Sequence, residues 1–568
     1  MRKEAIFHIQ TYPYCVATKP DALTLRIKTG KGDVKKAVVC YKNLYDHTTA
    51  FQNEEMRLIL VSDLFDVFEA TIKVALKHFK YYFELTSDSE SFFLTSDGFM
   101  TVVAPENCFY YPNINKDDIL ELPQWAEGET IYQILVDRFW DFDPSNNPSQ
   151  VKSWATLPDR NTYYGGDFDG IIHKLDYLCD YGVGIIYLSP VFKSPSYHKY
   201  DIEDYYEIES IYGGKERLSE LVRKAHEKGI KVILDGVYGH CSYKHEFFRN
   251  LCDNNEKSPY LEWFEVYDFP VSVEKGNYNT FANVVPKMPK FDTSNDDVIE
   301  YFAKQAAYWV QYLDIDGYRL DVADEISHKF WRQFRKYLNE TKKDILLLGE
   351  IWNQPTLWLR AGELHSATNY KFRQYTLALA RNEIGTKEYI SYLEEYFMTI
   401  STKQQNFLAN LLGSHDTVRL ANEIPDEKTR FLIMKLMLLM PGMPLIYYGD
   451  EVSLAGGKDP DNRRAMNWKS ELSKDEIEFR ETAAFRHCSD ILKKGSMCFL
   501  SAKEGLIAYR RETRTGAIIV VANFSEGNMS YKIEKSFYLV LGEALDTPDG
   551  KSLESKTIAV FQTDNAND

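Results

Sequence analysis

A chain of 568 residues exceeds what one hydrophobic core usually organises, so about three domains are expected. With 44% apolar and 14% aromatic residues, it can fill large cores and still line a groove with rings suited to the flat C–H faces of sugars, although plain core is the commoner use of surplus aromatics. The net charge of −17, spread along the chain, argues against nucleic acid and other polyanionic partners.

The N-terminus, Met1 to Gln10, has two basic residues and no sustained apolar run after them. No secretory signal is read, and a cytoplasmic location is expected. From residue 1 to about 123, short β-like runs such as Ala22 to Lys28 and Lys36 to Tyr41 alternate with Gly, Asp and Asn turns, the pattern of an all-β sandwich. Pro123 to Gly128 reads as a linker. Ile131 to Val136 then opens a rhythm of apolar strands and amphipathic helices that runs to residue 491, with further strands at Gly182 to Leu188, Lys231 to Leu234, Asp316 to Leu320, Ile345 to Leu348, Leu408 to Leu412 and Pro444 to Tyr448. Glu216 to Lys228 is a clear helix between two of them. From about 240 to 291 the rhythm lapses into an aromatic, turn-rich stretch too long for a loop, which predicts an inserted subdomain. Phe431 to Tyr448, the most apolar stretch, is broken by Lys435, Pro441 and Pro444 and reads as a buried helix followed by a strand. Short strands return over 492–568, predicting a C-terminal β-sandwich. The eight cysteines form no Cys-x-x-Cys pair, so reduced thiols are expected.

Three acidic segments end predicted strands: Asp316 to Asp321, Gly349 to Trp352 and Gly413 to Asp416. Residues 321, 350 and 416 are separated by about one and then two strand-helix units of roughly 30 residues. That period fits the C-terminal rim of a (β/α)8 barrel, where such folds keep their chemistry. Arg319 and Asp321 are two apart on a strand and share a face, so the cation is expected to hold Asp321 ionised, as a nucleophile must be. Ile351 and Trp352 are apolar neighbours expected to keep Glu350 protonated for leaving-group donation. The division suits a retaining glycosidase, whose two carboxyl groups lie about 5–5.5 Å apart. A fourth segment, Asp235 to His240, ends another strand with an Asp and a His. Any one of these acids alone reads as a helix cap or surface pair; four in order on a rim do not.

These segments resemble the α-amylase superfamily, and within it the neopullulanase, cyclomaltodextrinase and maltogenic amylase group, over nearly the whole chain. The resemblance implies Asp321 as nucleophile, Glu350 as general acid/base and Asp416 as transition-state stabiliser. It places Arg319, Asp235, His240 and His415 around the reacting sugar, with Tyr200 beneath it. Pro286 to Thr293 resembles the group's Met-Pro-Lys-Leu-Asn segment with a changed core, and Val322 to Glu325 resembles its Val-Ala-Asn-Glu, which puts Glu325 on the acceptor side. Gly456 to Arg464 is also typical, and Arg464 is included among the expected substrate contacts. The family usually has Asn where this chain has Gly239, which removes hydrogen bonds from the floor of the site or from a metal used by some relatives; retained activity with altered local order is expected.

Asp141, Asp143, Asn146 and Asn147, with Gly166 and Asp167, offer hard oxygen ligands. They resemble the group's calcium loop with its first and last residues exchanged, which implies a structural Ca2+; a polar turn needing no ion is the plainer alternative. The implied activity is double-displacement hydrolysis of α-1,4 bonds in cyclodextrins, pullulan or maltooligosaccharides, with some transglycosylation and a homodimer formed through the N-terminal module. A superfamily isomerase or transglycosylase, or a silent amylase-like binding protein, are the competing readings.

Overall fold

Period-two alternation of apolar residues gives the N-terminal segment its two packed sheets. The computed structural model describes residues 1–548 and 550–563. One sheet runs Cys15–Lys19, Ala22–Gly30, Phe65–Lys73, Arg57–Val61; the other is built on Lys36–Asn43 and Phe79–Thr86. Leu23, Leu25 and Ile27 face Val39, Tyr81 and Phe83 across the core between them. The chain stays attached as it leaves this module: Leu120 N–H donates to the Ala17 carbonyl, and Trp125 Nε1 donates to the Asp344 carbonyl at 2.8 Å.

Eight parallel strands then close into a barrel: β1 (Thr130–Ile134), β2 (Val183–Leu188), β3 (Lys231–Gly236), β4 (Gly317–Leu320), β5 (Leu346–Gly349), β6 (Ser366–Asn369), β7 (Ala409–Leu411) and β8 (Met443–Tyr447), which pairs back to β1. Ile185, Ile233, Leu348, Leu411 and Leu445 fill the interior, while Ile186, Val232, Tyr318 and Leu320 face the helices. Burial on both faces is what makes these strands near-continuous apolar runs. β6 is the exception, and the sequence reading missed it: Ser-Ala-Thr-Asn has no apolar run, and its buried polar groups are satisfied individually. Asn369 Nδ2 donates to Asn410 Oδ1 at 2.8 Å, and its Oδ1 accepts from Phe372 N.

The expected helix at 216–228 spans Gly214–Glu227, and the apolar stretch after 431 resolves into a helix, Glu427–Leu439, followed by β8. After β3 the chain forms a helix, Glu246–Asn254, and a hairpin, Thr280–Phe281 with Val285–Pro289. The ends of this excursion are laced together: Cys241 N–H donates to the Pro289 carbonyl and Phe291 N–H to the Gly239 carbonyl, both at 3.0 Å. A five-stranded and a three-stranded sheet complete the chain from Ser496, with Leu506, Val521 and Phe561 between them. The cysteines are unpaired. Among the described residues no helix is long and apolar enough to cross a membrane.

Candidate active site

Arg319 is the hub of the rim. As the inward-facing residue of β4 it has no exit to solvent, so its charge must be met inside the barrel. Nη1 donates to Asp235 Oδ1 at 3.0 Å, from the end of β3, and to Asp321 Oδ1 at 2.9 Å. Nη2 lies 2.8 Å from Glu350 Oε2, just past β5. One guanidinium thus gathers three carboxylates from three strand ends.

Asp235 is fully buried beneath this cluster, its Oδ2 also accepting from Tyr187 (2.5 Å) and Tyr200 (2.9 Å) hydroxyls. The sequence reading put it against substrate; the structure spends its oxygens on fixing Arg319 and Tyr200. The Tyr200 oxygen meets His415 Nε2 at 2.6 Å, and the other ring nitrogen, Nδ1, meets Gln133 Nε2 at 2.7 Å. With the Gln133 amide donating, the ring proton sits on Nε2, where Asp416 Oδ2 lies 3.1 Å away. Burial holds the His415 pKa well below its ordinary value, with Arg463 adding to it, so the ring is neutral. Asp416 is the most open of the three acids. Desolvation by the walls of the cleft raises its pKa even so, against the pull of Arg463 and Arg319.

Arg463, not Arg464, reaches the site. Its Nη2 lies 3.3 Å from Asp416 Oδ1, Nε donates to the His415 carbonyl at 2.9 Å, and Nη1 donates to Tyr197 at 3.0 Å. Arg464 turns the other way and forms a two-point pair with Asp461 at 2.8 Å. Glu325 is exposed at the rim and paired with Lys290 of the inserted excursion at 2.7 Å. His240 is buried against Phe281, with ring centroids 4.9 Å apart, and its Nε2 has no hydrogen-bond partner; burial brings its pKa down to about 3. A Cβ on Gly239 would meet only Ile326, at 3.8 Å, so this position is roomy.

The expected surroundings of the two central acids are corrected by the structure. Glu350 is not held among apolar groups: besides Arg319, it accepts from Val322 N at 2.9 Å and from Trp352 Nε1 at 3.1 Å. The Trp352 ring leans instead on Tyr370, 4.0 Å between centroids. Asp321 is pushed well above the usual carboxylate range, first by burial and then by the charge of Glu350, and Arg319 only partly offsets them. At Asp321, burial and the neighbouring carboxylate thus outweigh the cation, the opposite of what the spacing of Arg319 and Asp321 predicts.

The acidic loop after β1 shows a mixed donor set. Asp141 Oδ1, Asn146 Oδ1 and Asn147 Oδ1 are buried and have no hydrogen-bond partner, a surplus of hard acceptors that fits a calcium ion. Asp143 caps the turn through Ser145, and Asp167 caps the helix Phe168–His173 through Gly170 N and also accepts from Asp143 N. Gly166 is pressed against the Val136 carbonyl, where a Cβ would not fit. Among the described residues no cluster of three or more His, Cys, Asp or Glu side chains is arranged for a metal, so any ion here relies on the Asn oxygens.

Comparison with known proteins agrees with this architecture. Residues 133–496 match the alpha amylase catalytic domain, and residues 1–115 match the alpha amylase N-terminal ig-like domain. The chain is 39% identical over 537 residues to a cyclomaltodextrinase of Thermoanaerobacter pseudethanolicus, covering 92% of this chain and 93% of that one. It is 37% identical to neopullulanase 2 of Thermoactinomyces vulgaris, covering 92% and 91%. A solved cyclomaltodextrinase structure superposes with a TM-score of 0.92 at 32% identity, covering 99% of this chain and all of that one. The chain belongs to the α-amylase family of glycoside hydrolases.

Proposed function

We propose that this enzyme hydrolyses α-1,4-glucosidic bonds of cyclodextrins, pullulan or maltooligosaccharides with retention of configuration, and transfers some glycosyl groups to sugar acceptors. The observation that carries the reading is the placement of Asp321 and Glu350 on opposite arms of one buried guanidinium. When substrate enters, Glu350 as general acid protonates the departing glycosidic oxygen while Asp321 attacks the anomeric carbon. The bond to the leaving sugar breaks as the Asp321–carbon ester forms. Glu350, now ionised, takes a proton from water or a sugar hydroxyl, which displaces Asp321 and restores the pair. Asp416 and His415, oriented by Arg463, Gln133 and Tyr200, offer an acceptor and a donor to the sugar hydroxyls as the ring flattens. The names of the relatives, cyclomaltodextrinase and neopullulanase, support this substrate range.

A calcium ion held by Asp141, Asn146 and Asn147 would tie the loop after β1 to the barrel; bound there, it supplies structure and no step of the reaction. The N-terminal module exposes Leu58, Val61 and Leu64 on and beside its edge strand, which supports a homodimer through that module.

The direct test is reducing-sugar release from β-cyclodextrin by the wild type and by Glu350→Gln. Release by the wild type and its loss in the variant are expected; equal inertness defeats the enzyme reading. Products from maltotriose consisting only of rearranged or lengthened sugars, with no glucose or maltose, overturn hydrolysis in favour of an isomerase or transglycosylase.

A further inference from the structure

The helices Asp296–Leu313 and His328–Thr341 flank β4 and pack against each other on the outside of the barrel. Their inner faces are filled by Phe302, Trp309, Phe330 and Phe334, all fully buried, so the core needs no further rings here. Yet the outer groove between them, a cavity of about 360 Å³, is bounded by Tyr308 and Tyr337, 37% and 36% exposed. The rings continue beyond it. Tyr312, 43% exposed, lies one turn on from Tyr308 with centroids 5.8 Å apart and planes within 16°; Tyr206, 41% exposed, adjoins Tyr308 at 5.5 Å. Lys304, Gln311 and Glu340 sit among them. The outer face of a barrel helix is ordinarily a polar stripe; four half-exposed tyrosines at and beside one groove depart from it.

We propose that this groove is a second carbohydrate site, separate from the rim, that takes a linear α-glucan segment. Tyrosine presents a flat apolar face to the C–H surface of a sugar and keeps a hydroxyl at its edge for the sugar's own hydroxyls. Tyr308 and Tyr312 stack on each other with Lys215 over the Tyr312 ring, so the exposed ring surface on offer is that of Tyr308, Tyr337 and Tyr206. Lys304 is paired with Glu300, which leaves Gln311 and Glu340 as the hydrogen-bonding groups at the groove and, among the described residues lining it, no free cation for an anionic ligand. The core of a protein interface is instead depleted of Lys and Glu. Holding a polymer at this groove raises its effective concentration at the rim and leaves short substrates unaffected.

The inference rests on the reading of the chain as an α-glucan hydrolase, and the experiment separates the two. Retardation of the full-length protein by soluble starch in a native gel, and maltotriose hydrolysis, are compared for the wild type, Tyr308→Ala with Tyr337→Ala, and Gln311→Ala. Gln311 is exposed and away from the core, so its variant keeps the fold even if the double variant does not. Starch retardation is expected to weaken about five-fold in the double variant and measurably in Gln311→Ala, with maltotriose kcat/KM unchanged. Unchanged retardation in both variants overturns the site, as does a change in oligomeric mass without a change in starch binding, which assigns the groove to a protein contact. If the wild type hydrolyses no glucan while the variants still lose retardation, the activity fails and the site stands.

Discussion

The main-chain N–H of Val322 donates to Oε2 of Glu350 at 2.9 Å, from a left-handed backbone (φ 43, ψ 47). A β-branched residue seldom adopts that conformation, at a cost of about 1–3 kcal/mol. The strain turns the chain just after Asp321 so that a donor from the nucleophile's own strand end grips the neighbouring acid. Val322→Gly relieves the strain and removes the side chain's restriction on the turn. The variant is expected to unfold within about 1 kcal/mol of the wild type while kcat on β-cyclodextrin falls several-fold, measured by urea denaturation and initial rates. An unchanged kcat removes the positioning role.

Arg319 meets three buried carboxylates, so its loss is expected to be felt first as instability. Arg319→Met leaves Asp235 and Asp321 buried without a cation and is expected to cost about 3–5 kcal/mol. Urea unfolding at neutral pH checks this, and the deficit shrinks at low pH, where the acids are neutral.

The adjacent arginines separate cleanly. Arg463→Ala removes a donor to Asp416 and the strut beneath His415, and kcat/KM on cyclodextrin is expected to fall about 100-fold. Arg464→Ala breaks only a half-exposed pair with Asp461 and should change it less than about three-fold. The reverse order contradicts the geometry.

Glu451 is fully buried at the end of β8, accepting from the Tyr132 and Tyr177 hydroxyls, and burial pushes its pKa from 4.5 to about 7. The folded state therefore holds a proton that the unfolded state has released between those values, so this group's contribution is intact below pH 4.5 and is lost as pH rises through 7. Glu451→Gln keeps the shape and cannot ionise. Relative to the wild type, its stability is expected to improve by about 1–3 kcal/mol between pH 5 and pH 8, read from Tm at the two pH values.

The unpartnered oxygens of Asp141, Asn146 and Asn147 lead to a metal test. A chelator is expected to lower Tm by a few degrees and added calcium to restore it, because an ion that binds only the folded state stabilises it. Asp141→Ala should start low and respond to neither. A wild type indifferent to chelator and calcium means that the loop holds no ion.

Legibility in the sequence followed burial. β1 to β5, β7 and β8 are largely apolar runs and announce themselves, whereas β6 is four small and polar residues whose partners lie on β7 and in the next helix. Carboxylates at strand ends could be read from spacing, since a strand's end fixes which side chains face the rim. Their electrostatics could not. Ile351 and Trp352 are beside Glu350 in sequence, but the groups that touch it come from β4 and the turn after it, and Trp352 contributes its N–H rather than an apolar face. The choice of Arg463 over Arg464 was equally hidden, because adjacent residues in a loop point apart and only the Asp461 pair shows which way.

The central claim is that Asp321 and Glu350 act as nucleophile and acid/base around Arg319. It is tested most directly by proton NMR of the first sugar ends released from β-cyclodextrin by the wild type. Double displacement predicts the α-anomer first, with β appearing only by mutarotation. Initial release of the β-anomer would contradict the account.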